Sequence, residues 1–289
     1  MNKAPKSSEK SKTIFIFLLI AVLLSACWIA YDNRNIQVNE LTIKSDNLPE
    51  DFIGYRIAHV SDLHNTEFGK DNAQLLSSIR DSEPDIIVIT GDIIDSRHTD
   101  VQIARDFINN ASDIAPVYYV TGNHEARVSE ENRIDSISLN DNITLLHNAD
   151  IFLEKDDSKI QLIGVDDPDY LSVYDNEEYL NHELSEYADN NHFKILLSHR
   201  PELFGIYVNN NIDIVFSGHA HGGQFRLPFI GGLYAPHQGF FPRFDSGLYT
   251  ENNTNLVVSR GLGNSIFPFR INNPPEIIII TLKNKSTEF

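Results

Sequence analysis

The chain of 289 residues, 41% of them hydrophobic, is able to bury a full core, and its lone cysteine, Cys27, excludes a disulfide framework or a thiolate metal site in the globular part. The formal net charge of −18 argues against a nucleic-acid partner, because an acidic surface repels the phosphate backbone. Lys3, Lys6, Lys10 and Lys12 face only Glu9 in the first twelve residues, so the remainder is more acidic still, and a phosphate ester bound there needs divalent metals or a local arginine cluster.

Ile14 to Tyr31 is apolar apart from Ser25 and Cys27, which as a helix spans about 27 Å, enough for a hydrocarbon core. The lysine-rich flank predicts a cytoplasmic tail over 1–12, a transmembrane signal-anchor over 13–31, a linker with a first strand over 32–50, and a catalytic domain over 51–289 outside a bacterial cytoplasmic membrane. Leu24-Ser25-Ala26-Cys27 also resembles a lipobox, which would make 13–31 a lipoprotein signal with Cys27 lipidated; the apolar residues Trp28 to Tyr31 that follow favour the anchor. Either form attaches the domain to a membrane.

Ile36, Val38, Leu41 and Ile43 predict the first strand. Tyr55 to Ser61 is a short apolar strand that leads into Asp62-Leu63-His64, and Leu75, Leu76 and Ile79 have helical spacing. Asp85 to Thr90, an apolar run of the kind buried on both faces, ends at Gly91-Asp92. Ile103, Phe107 and Ile108 predict a helix, and Val117 to Thr121 ends at Gly122-Asn123-His124-Glu125. Ile160 to Val165 reads as a strand and 175–188 as an acidic helix. Phe193 to Ser198 ends at His199, and Ile212 to Ser217 ends at Gly218-His219-Ala220-His221. Residues 222–247 read as loop with short strands, and Leu256 to Ser259 and Glu276 to Leu282 as closing strands.

Five strands therefore each end in polar side chains, and in α/β sheets such groups gather beyond the carboxyl ends of strands. Singly, each has a plain structural explanation as a helix cap, a turn or a satisfied histidine. Together they form a set of carboxylates, a carboxamide and imidazoles that suits two borderline divalent ions such as Mn²⁺, Fe²⁺, Zn²⁺ or Ni²⁺. Asp-x-His and His-x-His in extended backbone would place both side chains of each pair on one side of the chain.

Asp62-Leu63-His64, Gly91-Asp92-Ile93-Ile94-Asp95, Gly122-Asn123-His124-Glu125, His199 and Gly218-His219-Ala220-His221 follow the order and rough spacing of the calcineurin-like metallophosphoesterases. Gly218 to Pro228, Gln238 to Pro242 and Val258 to Pro268 resemble the membrane-associated bacterial branch of that superfamily. The resemblance implies a four-layer αββα sandwich of the α/β class. It implies that Asp62, His64 and His221 hold one metal, that Asn123, His199 and His219 hold the other, and that Asp92 bridges them. His124 would assist the leaving group, with Asp95 orienting its ring. Phosphate-ester hydrolysis would proceed by in-line attack of a metal-bridging hydroxide.

A lipid or membrane-associated phosphodiester is the preferred substrate, because Phe225, Leu227, Phe229, Phe240 and Phe241 follow the last metal motif and could receive acyl chains; as ordinary core residues they would carry no such meaning. A nucleotide-linked acylated sugar of lipid A synthesis is the alternative, although such a cytosolic substrate conflicts with the orientation. A metal-stabilised binding module without turnover is the non-enzyme alternative. No obligate protein partner is evident. Arg200 and Arg260 are candidates for phosphate contact or for structural roles, and Asp166-Asp167-Pro168-Asp169 reads as a solvated loop.

Overall fold

The computed structural model describes residues 7–134, 139–171, 175–188 and 191–285, so residues 1–6 of the expected basic tail lie outside the described residues. Helix α1 (Ser7–Asp32) carries the apolar segment. Its stretch Ser11–Asp32 has a mean hydropathy of 2.7, is long enough to cross a membrane, and has no residue buried in the protein.

From there the chain builds two six-stranded sheets. β1 (Gln37–Lys44), β2 (Arg56–Val60), α2 (Ala73–Asp81), β3 (Ile86–Thr90), α3 (Val101–Ser112), β4 (Val117–Val120), the one-turn α4 (Asn123–Ala126) and β5 (Ile143–Leu145) make the first half. β6 (Ala149–Lys155), β7 (Ser158–Gly164), α5 (Asn176–Ser185), β8 (Phe193–Leu197), α6 (Phe204–Asn209) and β9 (Ile214–Ser217) make the second. Two two-residue ribbons follow, β10 (Arg226–Leu227) with β11 (Gly231–Gly232) and β12 (Tyr234–Ala235) with β13 (Gly239–Phe240). β14 (Gly247–Glu251) and β15 (Thr254–Val258) complete the second sheet, in the order β14-β15-β9-β8-β7-β6. β16 (Glu276–Lys283) returns to the first, in the order β1-β16-β2-β3-β4-β5. β1 pairs along its whole length with β16, so the folded unit begins before residue 51.

Strict alternation explains the layering. In β3, Ile86 and Val88 pack between the two sheets while Ile87 and Ile89 pack outward. The inter-sheet core joins them to Leu162, Ile195, Leu197 and Phe216 of the second sheet. Outward residues of the first sheet meet Leu75, Ile79, Phe107 and Ile108 of α2 and α3. Outward residues of the second meet Leu180, Leu184, Phe204 and Tyr207 of α5 and α6. This is the expected αββα sandwich, and each fully buried aliphatic side chain adds roughly 1.5–3 kcal/mol of transfer free energy. The helices start at polar caps: Asp100 accepts from Gln102 N, and Asp175 accepts from Glu177 N and Glu178 N.

β2, β3 and β4 run parallel in one sheet, and β8 and β9 run parallel in the other. Both sets end at one edge of the sandwich. The Gly222–Gly247 stretch is loop with short strands, as its composition suggests, and Phe244 joins the core, but Phe229, Phe240 and Phe241 do not: they are 109%, 71% and 59% exposed.

Candidate metal centre

The loops after the strands are stitched together before any side chain acts. Asp62 N donates to Gly91 O and His64 N to Asp92 O, joining the turns after β2 and β3. His219 N donates to Asp62 Oδ1 and Oδ2 at 3.1 and 3.2 Å, and His199 Nδ1 meets Thr90 O at 2.6 Å, so the two sheets are tied across the edge. The turns are tight. A Cβ at Gly122 would collide with Asp92 Oδ1, and one at Gly218 with Ser61 Oγ and Asp62 Oδ2.

All seven predicted ligands are buried here. They reach the site by a different route from extended backbone. Asp62, His64, Asp92, His219 and His221 all have positive φ, between 47° and 65°, in the left-handed region that costs non-glycine residues of order 1–3 kcal/mol each. The chain leaves each strand and curls, so the paired side chains converge through turns rather than through pleat alternation.

Two groups of donor atoms result, with Asp92 common to both. In the first, His64 Nε2 lies 3.2 Å from His221 Nε2 and 3.6 Å from Asp92 Oδ2, and His221 Nε2 lies 3.3 Å from Asp62 Oδ1. In the second, His199 Nε2 lies 3.3 Å from Asp92 Oδ2 and 3.1 Å from His219 Nδ1. Atoms that share one ion at about 2.0–2.1 Å sit about 2.8–3.4 Å apart at octahedral to tetrahedral angles, which covers each of these spacings except the 3.6 Å between His64 and Asp92. Asn123 Oδ1 is buried without a hydrogen-bond donor, an orphan acceptor that costs roughly 1–3 kcal/mol unless something satisfies it.

Proton bookkeeping points the same way. Thr90 O can only accept, so His199 Nδ1 donates to it, and in the neutral ring Nε2 keeps its lone pair. Arg200 Nη1 donates to His237 Nδ1 at 2.8 Å, so His219 Nε2, 2.9 Å from that same atom, must donate too, which frees His219 Nδ1. With both rings neutral, two lone pairs face each other across 3.1 Å beside a carboxylate, an arrangement that a cation resolves, whether a proton on His199 Nε2 or a metal ion. Burial pushes His64 down to about 3 and holds His219 and His221 well below the ordinary range, which keeps these rings neutral and able to ligate. Burial, reinforced by Asp92 and partly offset by His199, pushes Asp62 up to about 6. His199 is the exception: burial opposes its charge, but Asp92 outweighs that and lifts it to about 10. The second group thus draws positive charge to Asp92. The donor set fits two divalent cations.

His124 sits beside this cluster, its ring 4.5 Å from that of His64 and its backbone N–H donating to Asp92 Oδ1 at 2.7 Å. Ser96 N donates to His124 Nδ1 at 3.1 Å, so the neutral ring carries its proton on Nε2, and burial lowers its pKa. Asp95 Oδ1 lies 3.5 Å from Nδ1, while its carboxylate takes Arg97 Nε and Nη2 at 3.2 and 3.0 Å. Ser96 contacts the ring more closely than Asp95 does.

Several supporting residues have no clear mark in the sequence. Glu125 accepts from Asp92 N, Ile94 N and Gly122 N at 2.7, 3.0 and 2.8 Å and so fixes the turn that carries Asp92; it lies inside a recognised motif, which was its one signal. His237 and Arg270 come from irregular loops, and Arg270 Nη2 lies 3.4 Å from His221 Nδ1. The Asp166-Asp167 run is not a solvated loop. Asp167 is buried and takes Arg200 Nε and Nη2 at 2.5 and 2.7 Å, which removes Arg200 from any phosphate contact through those atoms. Asp166 is buried as well, accepting from Thr121 Oγ1 at 2.7 Å. Arg260 pairs with Glu276 at 2.8 Å and with Gln37 at 3.0 Å, a structural role.

An αββα sandwich with a histidine–aspartate cluster at one edge defines a metal-dependent phosphoesterase, and residues 55–223 match the calcineurin-like phosphoesterase family. The chain belongs to this family, whose members use a dinuclear divalent metal site, and it is a phosphoesterase hydrolase. It is 32% identical to the uncharacterized metallophosphoesterase YkuE of Bacillus subtilis over 86% of each chain. It is 25% identical to the phosphodiesterase YaeI of Escherichia coli, over 79% of this chain and 82% of that one. It is 28% identical to a transmembrane protein with metallophosphoesterase domain of Danio rerio, over 96% of this chain and 64% of that one. The apolar α1 and that last name fit a membrane anchor.

Proposed function

We propose that the protein is a membrane-anchored phosphodiesterase acting on a lipid or lipid-linked phosphodiester outside the cytoplasmic membrane. The observation that carries the two-ion assignment is the position of Asp92 Oδ2, within 3.6 Å of His64 Nε2 and 3.3 Å of His199 Nε2, so that one carboxylate serves both donor groups. Asp62, His64 and His221 would complete one ion's ligands, and Asn123, His199 and His219 the other's, with Mn²⁺ the first candidate. When bound, such ions would act as Lewis acids toward the phosphoryl oxygens and would lower the pKa of a bound water.

The chain's own groups do the rest. Glu125 and the crossed hydrogen bonds between sheets hold the donors in place. His124, with its proton on Nε2, is set to hand a hydrogen bond or proton to the departing oxygen. Ser96 holds the other side of that ring, and Asp95 would pair with Nδ1 only once the ring is doubly protonated. The diester reading is supported by the YaeI name. The lipid reading is supported by α1 and by the exposed aromatics Phe229, Phe240 and Phe241.

The test assays purified full-length protein, loaded with Mn²⁺, on chromogenic phosphodiester and monoester and on phospholipid in vesicles. Diester turnover above monoester turnover, with release of the lipid alcohol, is expected. Monoester turnover alone would overturn the diester reading, and inactivity on vesicle lipid would overturn the lipid reading. A C-terminal reporter active only in the cytoplasm would overturn the orientation.

A further inference from the structure

The C-terminal end of α1 is fastened to the catalytic domain beside the metal centre. Asn33, the first residue past the helix, donates from Nδ2 to Arg270 O at 2.9 Å and accepts from Arg270 N at 2.7 Å, and it also closes the helix on Ile29 O at 2.8 Å. Whatever depth the last turns of α1 take in a bilayer, the Gly263–Arg270 loop shares it. That loop is apolar where a loop in water would be polar: Ile266, Phe267 and Phe269 are 75%, 49% and 39% exposed.

Between the helix and the domain lies a cleft of about 1080 Å³. One wall is Ala26, Ile29 and Ala30, which the three- and four-residue spacing puts on one face of α1. The facing wall is Phe68, Pro268 and Phe269, and Thr66, Glu67 and Asn264 form a polar part of the rim. Small side chains on the helix leave room where a tight helix–domain contact would need bulk. The volume is at the upper end of pockets that enclose a small organic ligand. Both chain segments of the domain wall are tied to the metal centre. Thr66 is two residues past His64 and donates its N–H to Leu63 O. Gly263 N donates to Asp62 O at 2.6 Å, and Arg270 reaches His221.

We infer that this cleft takes an acyl chain of a lipid drawn from the bilayer that α1 enters, presenting the lipid's phosphate ester on the Asp62–His64–His221 side of the site. The inference rests on the lipid-phosphodiester reading and adds its route of entry. Remote binding of the chain would contribute to turnover of a lipid ester and nothing to turnover of a small soluble ester.

Two measurements on the full chain test it. In phosphatidylcholine vesicles doped with phosphatidylcholine bearing a diazirine in mid-chain, light should attach the lipid to peptides containing Phe68 and Pro268–Phe269 as well as to α1. Attachment confined to α1 would overturn the inference. The second measurement fills the cleft from the helix side with Ala26→Trp or Ala30→Trp, neither of which touches a metal-site residue. Turnover of vesicle lipid should fall roughly tenfold or more while turnover of the chromogenic diester stays at the parent level. Equal turnover of vesicle lipid in parent and variants would overturn the inference. Lipid attachment at the cleft in a protein that hydrolyses no ester would instead sink the phosphodiesterase reading and leave the lipid contact standing, so the two failures are distinguishable.

Discussion

The strand ends and the loops that follow β9 lie side by side but are built on opposite principles. At the strand ends, buried donors sit on backbone that is strained, hydrogen-bonded across two sheets and braced by Glu125. In the loops from Gln224 to Ser246, Phe229, Phe240 and Phe241 stand in solvent, and the strands are two-residue ribbons. The rigid half suits chemistry that any phosphate ester would need. The loop half, free of that constraint, is where substrate choice can reside.

That contrast predicts where damage is total and where it is selective. The largest effect belongs to Asp92→Asn. With one oxygen serving both donor groups, its loss should remove both ions as measured by metal analysis, and turnover of every ester should fall to background. Stability gives an independent readout. Each ion at a hundredfold its Kd adds about 2.7 kcal/mol to a protein that binds it only when folded, a rise of roughly 5–10 °C in Tm per ion for a domain of this size. The parent should show that rise on Mn²⁺ addition and the variant should not. A variant that keeps both ions would break the shared-carboxylate assignment.

Next is His124→Gln. Its ring lies against the cluster without belonging to either of the two donor groups around Asp92, so both ions should stay bound while turnover drops about 10²–10⁴-fold, the usual range for a lost proton donor. The loss should shrink for esters whose leaving group needs no proton, such as nitrophenolate. Equal loss for all leaving groups would assign the ring to binding instead.

How far the sequence revealed this division follows the same physics. Central strands such as Ile86–Thr90 and Phe193–Leu197 are apolar on both faces and stood out, as did the polar residues that end them. The strands that escaped notice, Ile143–Leu145, Ala149–Lys155 and Gly247–Glu251, are all sheet edges, half-exposed and mixed in composition, with little periodicity to detect. Site residues carried by motifs were legible. The curled backbone under Asp62 and His219 was not, because local spacing does not reveal which turn a chain takes after a strand. Asp167 read as a solvated acid because its partner, Arg200, is 33 residues away and next to a strand-end histidine, a pairing visible only once β7 and β8 are side by side.

His237 sharpens the comparison, since it comes from the loop half yet acts on the rigid half. Its Nδ1 accepts from both His219 Nε2 and Arg200 Nη1 and so sets which nitrogen of His219 is free. His237→Phe keeps an aromatic ring over His219 but removes that acceptor. Affinity for the ion at His199 and His219 should fall roughly 10–100-fold, as for other partners of metal-binding histidines, and the ion at His64 and His221 should be unaffected. Metal titration followed by activity would show one weakened site; two equally weakened sites would mean that the loop supports the whole edge mechanically.

The smallest expected effect is at Phe240 and Phe241, which are exposed and belong to neither donor group. Replacing both with Ser leaves the core, the ligands and His124 untouched, so metal content and turnover of a soluble diester should match the parent. Only substrate in a bilayer should respond. Each aromatic that dips into an interface contributes through the apolar area it removes from water, but α1 already fixes the protein to that surface, so the lost contacts change the orientation of the domain more than its attachment. Turnover of vesicle lipid should therefore fall severalfold, by less than when the cleft beside α1 is filled. If soluble and vesicle substrates fell together, these rings would be serving the site's architecture, and the line between a rigid chemical half and a selective loop half would have to be drawn beyond residue 241.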